Sequence, residues 1–401
     1  MIPTSRPDDV ARCVLDTFDI LPAAYRPRQL PEGRREWVPL AGIVLSRGMK
    51  CLPQSKISSA NGNVLHDWHA EILAIRAFNR FLVDECADLA RRGLGSETAW
   101  IRWRQNVEKD EVEDAAGWQG QPFALRDDVK IHMYCSEAPC GDASMELTMA
   151  EQEDATPWTS TLPTEEKDGM LGRGHFDQLG VVRRKPARPD APATLSKSCS
   201  DKMALKQCTG LLSSVVSSLI HPGSSYLESV VLPESQCISQ AVNRAFGKGG
   251  RMKELANEEL QDRWRSTGFA FRPFHVTTTK REFNFSRRGP QAAAVPNVSS
   301  NLSAVYTPTR REILVNGVLQ GRKQLDPKGA SCVSRRKMWM SVLDVALLVG
   351  LPALTSALGK RTYSEMKASG IFKGRKRVKM DARELSLKGW KRNEGDEQWC
   401  L

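Results

Sequence analysis

Strand-like and helix-like segments alternate along this 401-residue chain, which predicts a mixed α/β fold. Two further observations agree with it. Hydrophobic residues make up 40% and charged residues 26%, the balance of a soluble globular protein able to bury a full core. No uncharged stretch is long enough to span a bilayer, and Met1 to Arg12 lack the apolar centre of a secretory signal, so a nuclear or cytoplasmic location is expected.

The elements follow in order. Val10, Ala11, Val14, Leu15 and Phe18 recur at helical intervals and predict a helix over 9–21. Trp37 to Leu45, rich in Val, Ile and Leu, reads as one buried strand ending at Arg47-Gly48. A polar loop with Asn61-Gly62-Asn63 precedes a long helix over 70–90, in which Ile72, Ile75, Phe78, Phe81 and Leu82 keep the period. Residues 91–128 are polar and are expected to form a surface connection. Val129, Ile131 and Met133 alternate with Lys130, His132 and Tyr134, a strand that stops before Pro139 and leads to a helix over 143–150. Five prolines between 151 and 197 predict an insertion. Beyond it the pattern gives a helix over 205–220, a strand over 227–232 and a helix over 238–246. A polar stretch over 247–310, a strand over 312–318 and a helix over 338–349 complete it. No internal repeat is present.

The net charge of +11 is concentrated near the end: Lys360 to Arg392 holds 12 basic and 3 acidic residues. Tyr363, Ile371, Phe372, Leu385, Leu387 and Trp390 interrupt that run, so it is not a uniformly solvated block, and a polyanion is implied there. Gly247-Lys248-Gly249-Gly250 lacks the strand and the Gly-Lys-Ser/Thr ending of a phosphate loop.

Chemistry enters at three places. His69-Ala70-Glu71 sits where the long helix begins, able to set a metal ligand beside a proton carrier. Of ten cysteines, Cys140 in Pro139-Cys140-Gly141-Asp142 and Cys199 in Ser198-Cys199-Ser200-Asp201-Lys202 have surroundings that argue for ligation. The other eight, Cys51 among them, read as small buried or incidental thiols. One imidazole and two thiolates leave a fourth position on zinc for water, and a carboxylate that is not a ligand can then move protons. His132, His175, His221 and His275 have no matching partners and read as structural.

The ordered set His-Ala-Glu, Pro-Cys-Gly-Asp and Ser-Cys-Ser-Asp-Lys resembles the deaminase domain of the adenosine deaminases acting on RNA. Cytidine-type zinc deaminases carry Pro-Cys-x-x-Cys, whereas Ala143 stands three residues after Cys140 here. The resemblance implies zinc held by His69, Cys140 and Cys199, with Glu71 as proton shuttle. It implies one domain over 1–401, an α/β sandwich of the cytidine-deaminase type with a C-terminal helical extension. It also implies inositol hexakisphosphate in the interior, at Arg76, Lys202, Lys206, Lys337, Tyr363, Lys367 and Trp390, with Lys376 a looser match. Relatives often have Arg where Ile75 stands, and Lys206 could serve for the Arg of the usual Arg-Trp. Lys202 could connect the polyanion to Cys199. Only about 35 residues precede the first core strand, too few for a double-stranded-RNA-binding domain, which favours the tRNA branch. The implied reaction is adenosine to inosine, at the adenosine 3′ of the anticodon in alanine tRNA, with no obligate protein partner evident. Arg47, Lys50 and Lys56 flank the loop before the zinc helix and are candidates for RNA phosphates. An editor of another structured RNA and a non-catalytic, zinc-stapled RNA-binding module are the alternatives.

Overall fold

The computed structural model describes residues 6–28, 34–43, 45–47, 51–105, 118–151, 170–172, 177–185, 192, 194–288 and 297–401. Helix α1 (Pro7–Asp19) opens the fold, followed by strands β1 (Arg35–Trp37), β2 (Leu40–Gly42) and β3 (Leu45–Arg47). The long helix α2 (Ala70–Arg92) precedes β4 (Ile101–Trp103), β5 (Phe123–Leu125) and β6 (Ile131–Cys135). Then come α3 (Met145–Ala150), β7 (Met170–Leu171), β8 (Arg183–Arg184), α4 (Cys199–Thr209), β9 (Leu227–Pro233), α5 (Ser239–Phe246), α6 (Glu258–Arg265) and β10 (His275–Thr279). Strands β11 (Asn297–Ser299), β12 (Leu302–Thr307), β13 (Arg310–Val315) and β14 (Val318–Leu319) lead to four helices: α7 (Arg335–Val349), α8 (Pro352–Leu358), α9 (Tyr363–Ala368) and α10 (Lys373–Leu385).

Eight strands form the main sheet in the order β10-β9-β6-β2-β3-β12-β13-β14. The β10-β9-β6 part is parallel and the rest antiparallel. Alternate side chains leave opposite faces, and the two faces pack on different helices. Tyr134 and Val231 meet α1 through Ala11 and Phe18. Their neighbours Met133, Cys135, Val230 and Leu232 join Ala70, Ala74 and Phe78 of α2 in the largest core.

Several expectations give way. The single strand over 37–45 is split, because Pro39 has no N–H for a ladder: β1 pairs in parallel with β11, while β2 and β3 make a hairpin in the main sheet. The connection over 91–128 contains β4 and β5, paired together, with Ile101, Phe123 and Leu125 fully buried. The helix over 205–220 ends early. α4 starts at Cys199 and stops before Gly210, whose φ of 60° favours glycine, and the buried Leu211, Leu212, Val215 and Val216 follow in turns. Within 247–310 lie α6, β10 and β12. The strand over 312–318 is a hairpin turning at Asn316-Gly317, both at positive φ, with Val315 opposite Val318.

Candidate active site

Three helix starts meet at the end of the central strands. His69 is the N-cap of α2. Cys140 follows β6 by five residues and stands just ahead of a 3₁₀ turn, Asp142–Ser144, that runs into α3. Cys199 is the first residue of α4, behind the N-cap Ser198, whose Oγ accepts from Asp201 N at 3.1 Å. Helix N-termini offer free N–H groups and a positive dipole end, which at the start of α4 partly offset the cost of burying a Cys199 thiolate.

The cysteine loops touch. Cys199 N donates to Cys140 Sγ at 3.3 Å, Ser200 N to Cys140 O at 3.0 Å, and Ser200 Oγ to Pro139 O at 2.8 Å. Gly141, at φ 103°, is required here: a Cβ would stand 2.3 Å from Ser198 Oγ. Hydrogen bonding from Cys199, then Lys185 and His69, holds the Cys140 thiol well below its ordinary pKa. Burial, then the charge of Cys140, pushes Cys199 up.

Glu71 is buried, 7% exposed, and its Oε2 accepts from Cys199 Sγ at 3.3 Å. Burial, then the Cys140 charge, raises its pKa, the tuning a general acid–base carboxyl needs near neutrality. His69 Nδ1 lies 2.8 Å from Asp67 Oδ1 and 3.7 Å from Cys51 Sγ. Burial and Lys185 oppose a charge on His69, but Asp67 and Cys51 outweigh them and lift its pKa to about 10. His69, Glu71, Cys140 and Cys51 line one cavity of about 1300 Å³, whose rim carries Trp37, Lys56 and Arg287.

Sequence reasoning missed much of the shell. Cys51, read as an incidental thiol, stands with Asp67 and His69 in a group whose ligand atoms lie within 4.8 Å of one another. Asp67 is already engaged. It takes Lys185 Nζ and Ser196 Oγ at 3.0 Å each, and Lys202 Nζ as well. Lys185 Nζ also donates to Cys199 Sγ at 3.2 Å. Lys202 therefore connects to Cys199, as expected, but through Asp67 and Lys185 rather than directly. Lys185 and Ser196 come from the stretch read as an insertion, much of which lies outside the described residues. The donor set of imidazole and thiols beside a carboxyl matches what zinc takes.

Behind Asp67 lies a second cavity of about 330 Å³. Arg76, Lys202, Lys206, Tyr363 and Trp390, five of the candidates for the polyanion, line it together with Lys197, Arg335, Arg375 and Lys379. Lys367 stands close enough to Arg375 and Arg335 to feel their charge. Two expectations are corrected: Lys337 is exposed on α7, with Arg335 facing the cavity, and Lys376 is exposed, with Arg375 and Lys379 turned inward. These residues sit on helices that turn about 100° per residue, so packing selects which of them faces inward. Burial first, then neighbouring cations, lowers Lys367 and Lys197 to about 7 and Lys206 and Lys379 well below their usual range. Buried Nε atoms of Arg76 and Arg375 have no hydrogen-bond partner. So many buried cations in one place fit a polyanion.

Of the RNA candidates, Lys50 lies outside the described residues, and Lys56 is exposed at the rim, donating to Gln324 Oε1 at 3.0 Å. Of the histidines read as structural, His175 lies outside the described residues. His132 bonds Ser229 Oγ, and His221 accepts from Gly223 N. His66 pairs with Asp396 Oδ2 at 2.8 Å and Asn393 at 2.9 Å, tying the last residues of the chain to the segment that leads into His69.

Comparison with known proteins places the chain in a family. Residues 44–394 match the adenosine-deaminase (editase) domain. The chain is 35% identical to tRNA-specific adenosine deaminase 1 of Schizosaccharomyces pombe, over 97% of this chain and 96% of that protein. It is 30% identical to the protein of that name from Saccharomyces cerevisiae, over 56% and 58%. With the double-stranded RNA-specific editase Adar of Drosophila melanogaster it shares 27% identity over 58% of this chain and 34% of the other. No helix among the described residues is long and apolar enough to cross a membrane. With the matched span covering most of its length, the chain belongs to the adenosine-deaminase (editase) domain family.

Proposed function

We propose that this protein deaminates adenosine to inosine in tRNA by a zinc-dependent hydrolysis, at the adenosine 3′ of the anticodon in alanine tRNA. The observation that carries the reading is the buried carboxyl of Glu71, 3.3 Å from Cys199 Sγ, in the cavity that His69 and Cys140 also line. His69, Cys140 and Cys199 would hold the zinc, which when bound supplies the Lewis acidity that makes water a nucleophile near neutrality. Glu71 takes a proton from that water and delivers it to the purine ring nitrogen. A second proton passes through the same carboxyl to the amino group, which leaves as ammonia, so adenosine and water give inosine and ammonia. Asp67, held by two lysines, fixes the orientation of His69 through Nδ1.

A cavity of about 1300 Å³ is roomier than the ~300–1,000 Å³ of small-molecule sites. That suits a nucleotide flipped from a loop together with its neighbours. At its rim the Arg287 guanidinium lies 5.8 Å from the centre of the Trp37 ring, a surface on which an unpaired base can stack. The full-length likeness to a tRNA-specific deaminase supports tRNA over other RNAs. The second cavity would hold inositol hexakisphosphate, in a cytidine-deaminase-type sandwich with α7–α10 as its C-terminal extension. The enzyme would act in the nucleus or cytoplasm without an obligate protein partner.

The test is nucleoside mass spectrometry of total tRNA incubated with purified, zinc-assayed protein, with Glu71→Ala as control. Inosine from the parent alone establishes the reaction. Inosine confined to another RNA would move the substrate, and none from folded, zinc-loaded protein would refute the catalytic reading.

A further inference from the structure

Each candidate zinc cysteine is followed two residues later by an aspartate: Cys140-Gly141-Asp142 and Cys199-Ser200-Asp201. The two segments are 59 residues apart in sequence, yet both aspartates meet the guanidinium of Arg251. Arg251 Nη1 donates to Asp201 Oδ1 at 2.6 Å, and its Nε stands 3.8 Å from Asp142 Oδ2. All three side chains are out of solvent, at 4% exposure for Arg251, 0% for Asp201 and 2% for Asp142.

The rest of each aspartate is committed to its own loop. Asp201 Oδ2 accepts from Ser198 Oγ at 2.6 Å and from Arg183 N at 2.9 Å, which fixes the first turn of α4. Asp142 Oδ1 accepts from Gly180 N at 2.7 Å and Arg244 Nε at 2.9 Å, which fixes the turn after Cys140. Arg251 thus joins one anchored aspartate to the other, in addition to the direct bonds between the loops, while its Nε also donates to Ala245 O at 3.3 Å. Asp142 Oδ2 and Arg251 Nη2 remain buried without a hydrogen-bond partner, so the join is firm on the Cys199 side and looser on the Cys140 side.

We infer that Arg251 is a positioning residue for the metal: by bridging Asp142 and Asp201 it sets the spacing of Cys140 and Cys199, and so the affinity and ligand geometry of the zinc site. The inference rests on zinc being held by these cysteines. A rigid guanidinium fork suits the task, since it can address two carboxylates at fixed separation, whereas a lysine ammonium is a single point of charge. Removing such outer support typically costs ten- to a hundredfold in metal affinity.

The experiment uses the full chain. Zinc affinity is measured by competition with a chelator, and the absorption of the cobalt(II)-loaded protein reports the geometry of the thiolates. Arg251→Met is expected to weaken zinc about ten- to a hundredfold and to alter the cobalt–thiolate bands, with Arg251→Lys in between. Arg80→Met is the control, because Arg80 is another largely buried arginine, and it bonds Asp84 and Ser341 rather than either cysteine loop. It should lower stability and leave the metal unmoved. Wild-type affinity and spectrum in Arg251→Met would overturn the inference, as would an equal loss in Arg80→Met. If Arg251→Met does not fold, Asp201→Asn keeps the shape and removes the charge; unchanged zinc binding there overturns the inference as well. A parent protein that binds no zinc would instead refute the zinc assignment on which it rests.

Discussion

Lys379→Met should have opposite effects on the protein with and without a polyanion bound in the second cavity. Burial, then Arg375 and Lys367, holds the Lys379 amine well below its ordinary pKa, and Lys197 and Lys367 are depressed to about 7. A lysine whose pKa falls on folding binds fewer protons folded than unfolded, so its contribution grows as pH rises above 7 and is lost as pH falls. Each such lysine gives a slope of about 1.4 kcal/mol per pH unit, and Lys197 and Lys367 together give about 3. A bound polyanion keeps these amines charged and removes the slope. Buried thiols such as Cys86 and Cys135, whose pKa is raised, act in the other direction above pH ~8.5, where unfolded thiols ionise. They contribute equally to loaded and stripped protein, so the difference between the two isolates the cavity. The assay is urea denaturation from about pH 7 to 8.5 at fixed ionic strength, on protein stripped at high salt and on protein reloaded with inositol hexakisphosphate. Stripped protein should gain stability with pH relative to loaded protein. Lys379→Met should stabilise the stripped form by about 1–4 kcal/mol, as apolar replacement of a buried charge can. The same change should weaken the anion about 10- to 150-fold, the worth of one charged hydrogen bond. Equal pH dependence in both forms, or destabilisation of both by Lys379→Met, would refute the reasoning.

Three further outcomes are expected. Glu71→Gln keeps its zinc by metal analysis but loses about 10²- to 10⁴-fold in inosine formation, the usual worth of a general acid–base. Lys185→Met removes the link between Asp67 and Cys199 and costs about 3–5 kcal/mol in urea denaturation, the penalty for breaking a buried pair; a loss under 1 kcal/mol would mean the charges are solvated. Trp37→Ala raises KM for an anticodon stem-loop about 5- to 150-fold with kcat retained, and Trp37→Phe restores it, as one stacked base is worth about 1–3 kcal/mol. An unmoved KM would remove Trp37 from the RNA surface.

The candidate residues for the chemistry were legible because their signals are local. A long 3.6-residue period sets α2, so His69 falls at its start. A two-residue period sets β6, so Cys140 follows its end. The short strands were not legible: β1, β2, β4 and β5 have three residues each, fewer than two full periods of alternation. Leu211 to Leu219 misled in the opposite way, since buried turns require apolar residues as a helix does.

By itself the sequence determined the candidate ligand types, their order, the nearby glutamate and the excess of cations in the tail, all of which are covalent facts of the chain. Tertiary structure alone decided their company. Asp67 meets Lys185 118 residues away and Lys202 135 away, and Arg251 meets both cysteine loops, because charges withdrawn from water must find partners wherever the fold brings them. It also chose Arg335 over Lys337 and Lys379 over Lys376. A basic run names the charge, but which side of a helix faces inward depends on what that helix packs against.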